Sequence, residues 1–163
     1  MAGKLFLICP TDFIELPIRK EFKSECFFYT ALGLNFHWDN YCIGEILHLL
    51  DRYAINDIVF VSNFRNKFYL DSLNEEKALK SSPSVLELYE TLKSVEPKIY
   101  FNTCNDEKMK VLASKHLFEQ ERKLKQKLAL KHHYKVSSVL FDKEISTFLA
   151  PNYFSFSFDS QLN

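Results

Sequence analysis

The sequence predicts an α/β domain of three layers, a mainly parallel β-sheet flanked by helices. Strand-like runs alternate with helix-period segments over the first 62 residues, in the order β, helix, β, helix, β, the pattern of a parallel sheet with helices on its faces. The strand-like runs are continuously apolar rather than alternating, as suits strands covered on both sides. The chain has 163 residues, 47% hydrophobic and 26% charged, and is read as one domain over residues 1–163. A chain of this size buries roughly two thirds of its unfolded surface and needs no disulfide or structural metal to fold.

The elements follow in order. Residues 4–9, Lys-Leu-Phe-Leu-Ile-Cys, form an apolar run stopped by Pro10, a buried strand. Residues 13–24 are mixed and helical in part. Residues 25–30 are a second strand, closed by Gly33. Asp39 or Asn40 caps a helix over about 41–53, in which Ile43, Ile46, Leu47, Leu50 and Tyr53 make one buried stripe. Residues 57–61, Asp-Ile-Val-Phe-Val, are the third strand.

Residues 68–80 read as a helix, and 84–94 as another, with Ser81 or Ser82 as cap and Pro83 at its first position. Residues 98–101 read as a further strand. A long helix spans about 106–131, with Met109, Leu112, Leu117, Leu124 and Leu128 as its apolar stripe. Its Arg122, Lys123, Lys125 and Lys127, with Glu119 and Glu121 nearby, make a solvated face. Residues 134–141 are the last strand, and 144–149 turn back as a hairpin.

Composition excludes several function classes. Lysine and arginine total 21 and aspartate and glutamate 21, so no net field draws the chain to nucleic acid or to an acidic membrane. Glycine occurs only at 3, 33 and 44, which permits neither a P-loop nor a dinucleotide-binding turn. The apolar run at 5–9 is too short for a signal-peptide core or a membrane span, so a cytoplasmic location is expected. The cysteines Cys9, Cys26, Cys42 and Cys104 form no C-x-x-C pair, as suits free thiols in a reducing compartment.

In open α/β sheets ligands lie at the carboxyl ends of strands where the strand order reverses. Those ends are Cys9-Pro10-Thr11-Asp12-Phe13 and Ser62-Asn63-Phe64-Arg65-Asn66. In this arrangement the chain resembles the β-carbonic anhydrases. That family ends its first strand in C-x-D-S-R and its third in H-x-x-C. It has a glycine in the loop after the second strand, a long helix near a V-x-x-Q pattern, and a last strand of the type G-x-V-Y-D. Here residues 111–131 resemble the long helix. Val136-Ser137-Ser138-Val139-Leu140-Phe141-Asp142 resembles the last strand.

The resemblance implies two cysteines and a histidine as zinc ligands, with the Asp and Arg of the first motif as a gating pair. Position by position, Cys9 matches a ligand and Gly33 the loop glycine. Thr11 stands at the gating Asp and Phe13 at its Arg, with Asp12 at the motif's Ser. Asn63 stands at the histidine and Asn66 at the second cysteine. Zinc sites are built from thiolate, imidazole and carboxylate donors, which neutral amides replace poorly. A degenerate member of the fold is expected, with no metal and no cofactor. It would bind a small anion or a partner in the strand-end crevice, or run an unassigned reaction there without zinc.

The candidate ligand-binding residues are Cys9, Thr11, Asp12, Gly33, His37, Asn63, Arg65 and Asn66, and each has a plainer reading. Cys9 suits a core thiol; Asp12 suits a helix cap; Arg65, able to grip an anion through its guanidinium, better suits a solvated or ion-paired surface group. His37, beside Phe36 and Trp38, suits packing. His132 and His133 are adjacent, so on a strand they face apart and do not chelate together. The tail, about 150–163, alternates Phe154, Phe156 and Phe158 with serines and is expected to pack on its own subunit or a partner's. The resemblance implies a homodimer.

Overall fold

The computed structural model describes residues 3–74, 82–96, 104–129 and 133–151. Among them five strands appear: β1 (Lys4–Ile8), β2 (Cys26–Thr30), β3 (Asp57–Asn63), β4 (Lys135–Asp142) and β5 (Thr147–Leu149). Five α-helices join them: α1 (Glu15–Phe22), α2 (Asn40–Arg52), α3 (Lys67–Leu73), α4 (Pro83–Val95) and α5 (Asn105–Lys127). The expected strand at 98–101, the far end of the 68–80 helix, His132 and the tail from 152 onward lie outside the described residues.

The sheet order is β2-β1-β3-β4-β5. The first four strands are parallel and β5 pairs antiparallel with the end of β4, Leu140 opposite Leu149. β1 and β3 are central, and apart from their first residues they are buried throughout, which is why both lack a polar-alternating pattern. One face of the sheet presents Phe6, Ile8, Val59, Val61 and Phe141 to Ile14 and Ile18 at α1. The other presents Leu5, Leu7, Ile58, Phe60 and Leu140 to the buried stripes of α2, α4 and α5. The three-layer expectation holds.

The long helix buries Met109, Leu112, Leu117 and Leu124, with Leu128 at its end. Its outer face carries the pairs Arg122–Glu119 and Lys125–Glu121. The same buried stripe includes three polar residues, Ser114, His116 and Gln120. Gln120 accepts a hydrogen bond from Trp38 Nε1 at 3.0 Å, which satisfies both groups in the apolar layer. Asp39 caps α2 by accepting from Cys42 N–H at 2.7 Å.

From β1 the chain moves outward to β2, then returns past β1 to β3 and on to β4. The order therefore reverses between β1 and β3, and the loops leaving their carboxyl ends face each other across a crevice. No helix among the described residues is long and apolar enough to cross a membrane.

Candidate functional site

The loop after β1 turns immediately. Pro10 opens a 3-10 turn over Pro10–Asp12, closed by Asp12 N–H donating to the Cys9 carbonyl at 3.1 Å. Phe13 then takes the left-handed conformation, φ 53° and ψ 47°, with its ring 74% exposed. That conformation is uncommon for a residue with a side chain and costs on the order of 1 kcal/mol. The tight turn sends the Asp12 side chain inward instead of leaving it to cap α1, whose cap position is Ile14.

Asp12 is 1% exposed. One carboxylate oxygen accepts from Asn63 N–H at 3.0 Å, the other from Asn66 Nδ2 at 2.5 Å. Burial pushes its pKa up to about 6, against the opposing pull of those two donors and of Lys143. The amide of Asn66 is used at both ends: Oδ1 accepts from Phe68 N–H at 2.9 Å, capping α3, while Nδ2 also reaches Thr11 Oγ1 at 3.3 Å. Thr11 Oγ1 lies 3.0 Å from Cys9 Sγ. The buried Cys9 sulfur in turn accepts from Gly33 N–H at 3.1 Å. Gly33 is required there: its φ is +59°, and a Cβ would sit 2.3 Å from Leu88 Cδ2.

A continuous chain of hydrogen bonds thus runs Gly33–Cys9–Thr11–Asn66–Asp12–Asn63 and joins the loops after β1, β2 and β3. Six of the eight residues singled out in the sequence fall in it. Arg65 lies alongside but is turned to other partners. Its guanidinium contacts Asp106 at 2.7 Å, Asp142 at 3.3 Å and Glu144 at 3.2 Å, and sits 4.9 Å from the centre of the Phe64 ring. Three carboxylates hold Arg65, in the ion-paired arrangement that was the plainer of its two readings. His37 is elsewhere, exposed beside Glu87 at 3.6 Å in a separate depression with Trp38 and Lys123.

Above the chain opens a cleft of about 610 Å³, walled by Thr11, Asp12, Asn63, Asn66, Lys67 and Lys143. Arg65 and Glu144 line it too, as do Phe68 and Asp71. Asp71 is buried and accepts from Tyr89 Oη at 3.2 Å. The residues that sequence reasoning missed are Lys67, Asp71 and Lys143. Lys143 follows the predicted last strand, and only the pairing of β4 with β3 brings it to the cleft. A second buried layer also went unnoticed: Tyr69 Oη lies 2.9 Å from Ser62 Oγ and 3.3 Å from His116 Nδ1. Burial pushes the His116 pKa down to about 4, and its Nε2 has no hydrogen-bond partner among the described residues. The i, i+4 spacing of Leu112, His116, Gln120 and Leu124 on the apolar stripe was the available signal for His116.

No protein-family model and no curated protein sequence matches the chain. Solved structures do. The β-carbonic anhydrase CafD of Aspergillus fumigatus superposes with a TM-score of 0.70 at 19% identity, over 91% of this chain and 88% of that one. The fold is that of the β-carbonic anhydrases. One of two tetrameric β-carbonic anhydrases from Sordaria macrospora gives 0.69 at 13% identity, over 91% and 80% of the two chains. The Coccomyxa β-carbonic anhydrase, solved in complex with acetazolamide, gives 0.70 at 11% identity, over 92% and 72%.

Within this β-carbonic anhydrase fold, the chain's strand-end residues form a hydrogen-bond network of one thiol, one hydroxyl, one side-chain amide, one carboxyl and the backbone N–H groups of Gly33 and Asn63. Among the described residues no three His, Cys, Asp or Glu side chains come together in a group able to hold a metal ion.

The raised pKa of Asp12 has a stability consequence with a definite sign. A carboxyl that binds its proton more tightly folded than unfolded adds stability that is fully present below about 3.8 and lost as the pH rises through about 6. The shift corresponds to about 3 kcal/mol at most. In urea unfolding from about pH 4.5 to about pH 8, wild type is expected to lose roughly 2 kcal/mol relative to Asp12→Asn. A difference between the two that stays constant with pH would show that Asp12 titrates as an ordinary surface carboxylate.

Proposed function

We propose that this chain works without zinc, and that it binds a small anion in the strand-end cleft rather than hydrating carbon dioxide. The observation that carries this reading is the bond from Asn66 Nδ2 to the Asp12 carboxylate at 2.5 Å, beside Thr11 and Cys9. Where the resemblance asks for two thiolates and an imidazole, the chain has one thiol and two neutral amides. The amide oxygens already accept from Phe68 N–H and Arg65 N–H, and the one nearby carboxylate is bonded at both oxygens. Zinc is held by anionic or imidazole donors. One sulfur with amide company does not fit it, and no step through a metal-bound water is assigned.

The raised pKa of Asp12 is also a property of groups that transfer protons, and it favours an enzyme acting in the same cleft without zinc. Both carboxylate oxygens are already engaged in joining two loops, which makes the structural tie the stronger account. In metal analysis of the purified chain, zinc well below one equivalent is expected, with no acceleration of CO2 hydration above buffer. About one equivalent of tightly held zinc together with CO2 hydration would refute the proposal.

A homodimer is the further part of this proposal. Phe13, Leu16 and Ile145 are exposed to 74%, 71% and 65%. Phe13 and Leu16 lie in and just after the loop following β1, and Ile145 in the β4–β5 turn. A contiguous exposed apolar patch marks a contact surface, and the dimer reading takes these three residues as parts of one such patch. Sedimentation equilibrium at micromolar concentration is expected to give twice the chain mass, and Phe13→Ser with Ile145→Ser to shift it toward one. A folded wild-type monomer across that range would count against the dimer.

A further inference from the structure

The cations around the cleft are not equivalent. Arg65 is held by Asp106, Asp142 and Glu144. Lys67 and Lys143 line the cleft, are exposed, and make no ion pair among the described residues. Between them and the sheet lies Asn63, 5% exposed. Its Oδ1 accepts from Arg65 N–H at 3.1 Å, which leaves Nδ2 as the end without a hydrogen bond among the described residues. Asn63 walls the cleft, so an oxygen bound there would find Nδ2 as a donor with no other acceptor among the described residues.

One group works against such a ligand. The Asp12 carboxylate shares the cleft and carries negative charge once ionised. Arg65 is matched by its own carboxylates, Glu144 among them, which leaves Lys67 and Lys143 against Asp12 and Asp71 among the charged lining residues, two positive and two negative. With Asp12 neutral the balance becomes two against one. The other groups that bear on Asp12 are Glu15 of α1 and Tyr69 of α3.

We infer that the cleft is a site for a small oxyanion, held by the Asn63 amide, Lys67 and Lys143, and opposed by the Asp12 carboxylate, which takes up a proton from solvent as the anion binds. The inference rests on the zinc-free reading above, and it names what that reading leaves open: which side chains hold the anion and which one regulates it. The raised pKa of Asp12 places this proton uptake near neutral pH.

Sulfate is the probe, because its double charge does not change over the range used. Calorimetric titration of the full chain at constant ionic strength is expected to show one sulfate per chain. Binding should be about tenfold tighter at about pH 5.5 than at about pH 8, a factor set by one opposing charge at close range. The heat should depend on the buffer, as proton uptake requires. Asp12→Asn is expected to bind tightly at both pH values. The exposed Lys67→Met and Lys143→Met should each weaken binding about tenfold without disturbing the fold. Sulfate binding that ignores pH and Asp12→Asn would overturn the role of Asp12, and binding that survives both lysine changes would overturn the site. A zinc-free chain that takes no sulfate at either pH, or an adventitious ion only, would overturn the inference and leave the zinc-free reading standing. A zinc-loaded chain would remove that reading instead.

Discussion

The Asp12 carboxylate closes the carboxyl end of the sheet by bonding to the Asn63 N–H and to the side-chain amide of Asn66. It is a buried charge-bearing group without a cation bonded to it among the described residues, an arrangement that costs free energy unless every oxygen is hydrogen-bonded. Both oxygens are. Because Asn66 caps α3 with its other end, the start of that helix is set by the same interaction. Because Asn66 also reaches Thr11, and Thr11 reaches Cys9, the tie extends to the Gly33 loop. The cleft is the space left above this network, and its wall carries amide, hydroxyl, carboxyl and lysine ammonium groups beside the ion-paired Arg65.

A second fastening lies beside the first. Arg65 connects the β3–α3 loop to Asp106 in the first turn of α5, to Asp142 at the end of β4 and to Glu144 in the following turn. Single exposed ion pairs contribute little, but one guanidinium bridging three carboxylates from three segments forms a network, in which geometry is constrained and contributions accumulate. Its consequence for function is subtraction. The guanidinium lines the cleft but is taken up by three carboxylates, so in the proposed site recognition of an anion falls to Lys67, Lys143 and the Asn63 amide.

Much of the fold was legible because it depends on local pattern. β1 and β3 read as buried strands from unbroken apolar runs, the stripe of α5 from its 3.6-residue period, and the start of α2 from Asp39. β3 runs on to Asn63, past the expected end at Val61, because Ser62 and Asn63 are buried polar residues whose partners come from other segments, Tyr69 and Asp12 among them. The site was legible as a pair of loops and not as a geometry. Asp12 was readable as a helix cap, and nothing in the local sequence shows that a left-handed Phe13 would turn it toward β3 instead. Arg65 looked available for a ligand because its three partners lie 41 or more residues away in the chain. Lys143 and His116 join their surroundings only through the pairing of β4 with β3 and the packing of α5 on the sheet.

The closed end of the sheet depends on one buried carboxyl held in place by neutral donors, and that group titrates. Following the Asp12 side-chain carboxyl by carbon NMR through an acid titration of the folded chain observes it directly. A midpoint near about 6, well above the 3.8 of a free aspartate, is the expected result. A midpoint at or below the free value would mean that the carboxylate meets water or a cation, and would contradict the closed network on which the cleft is built.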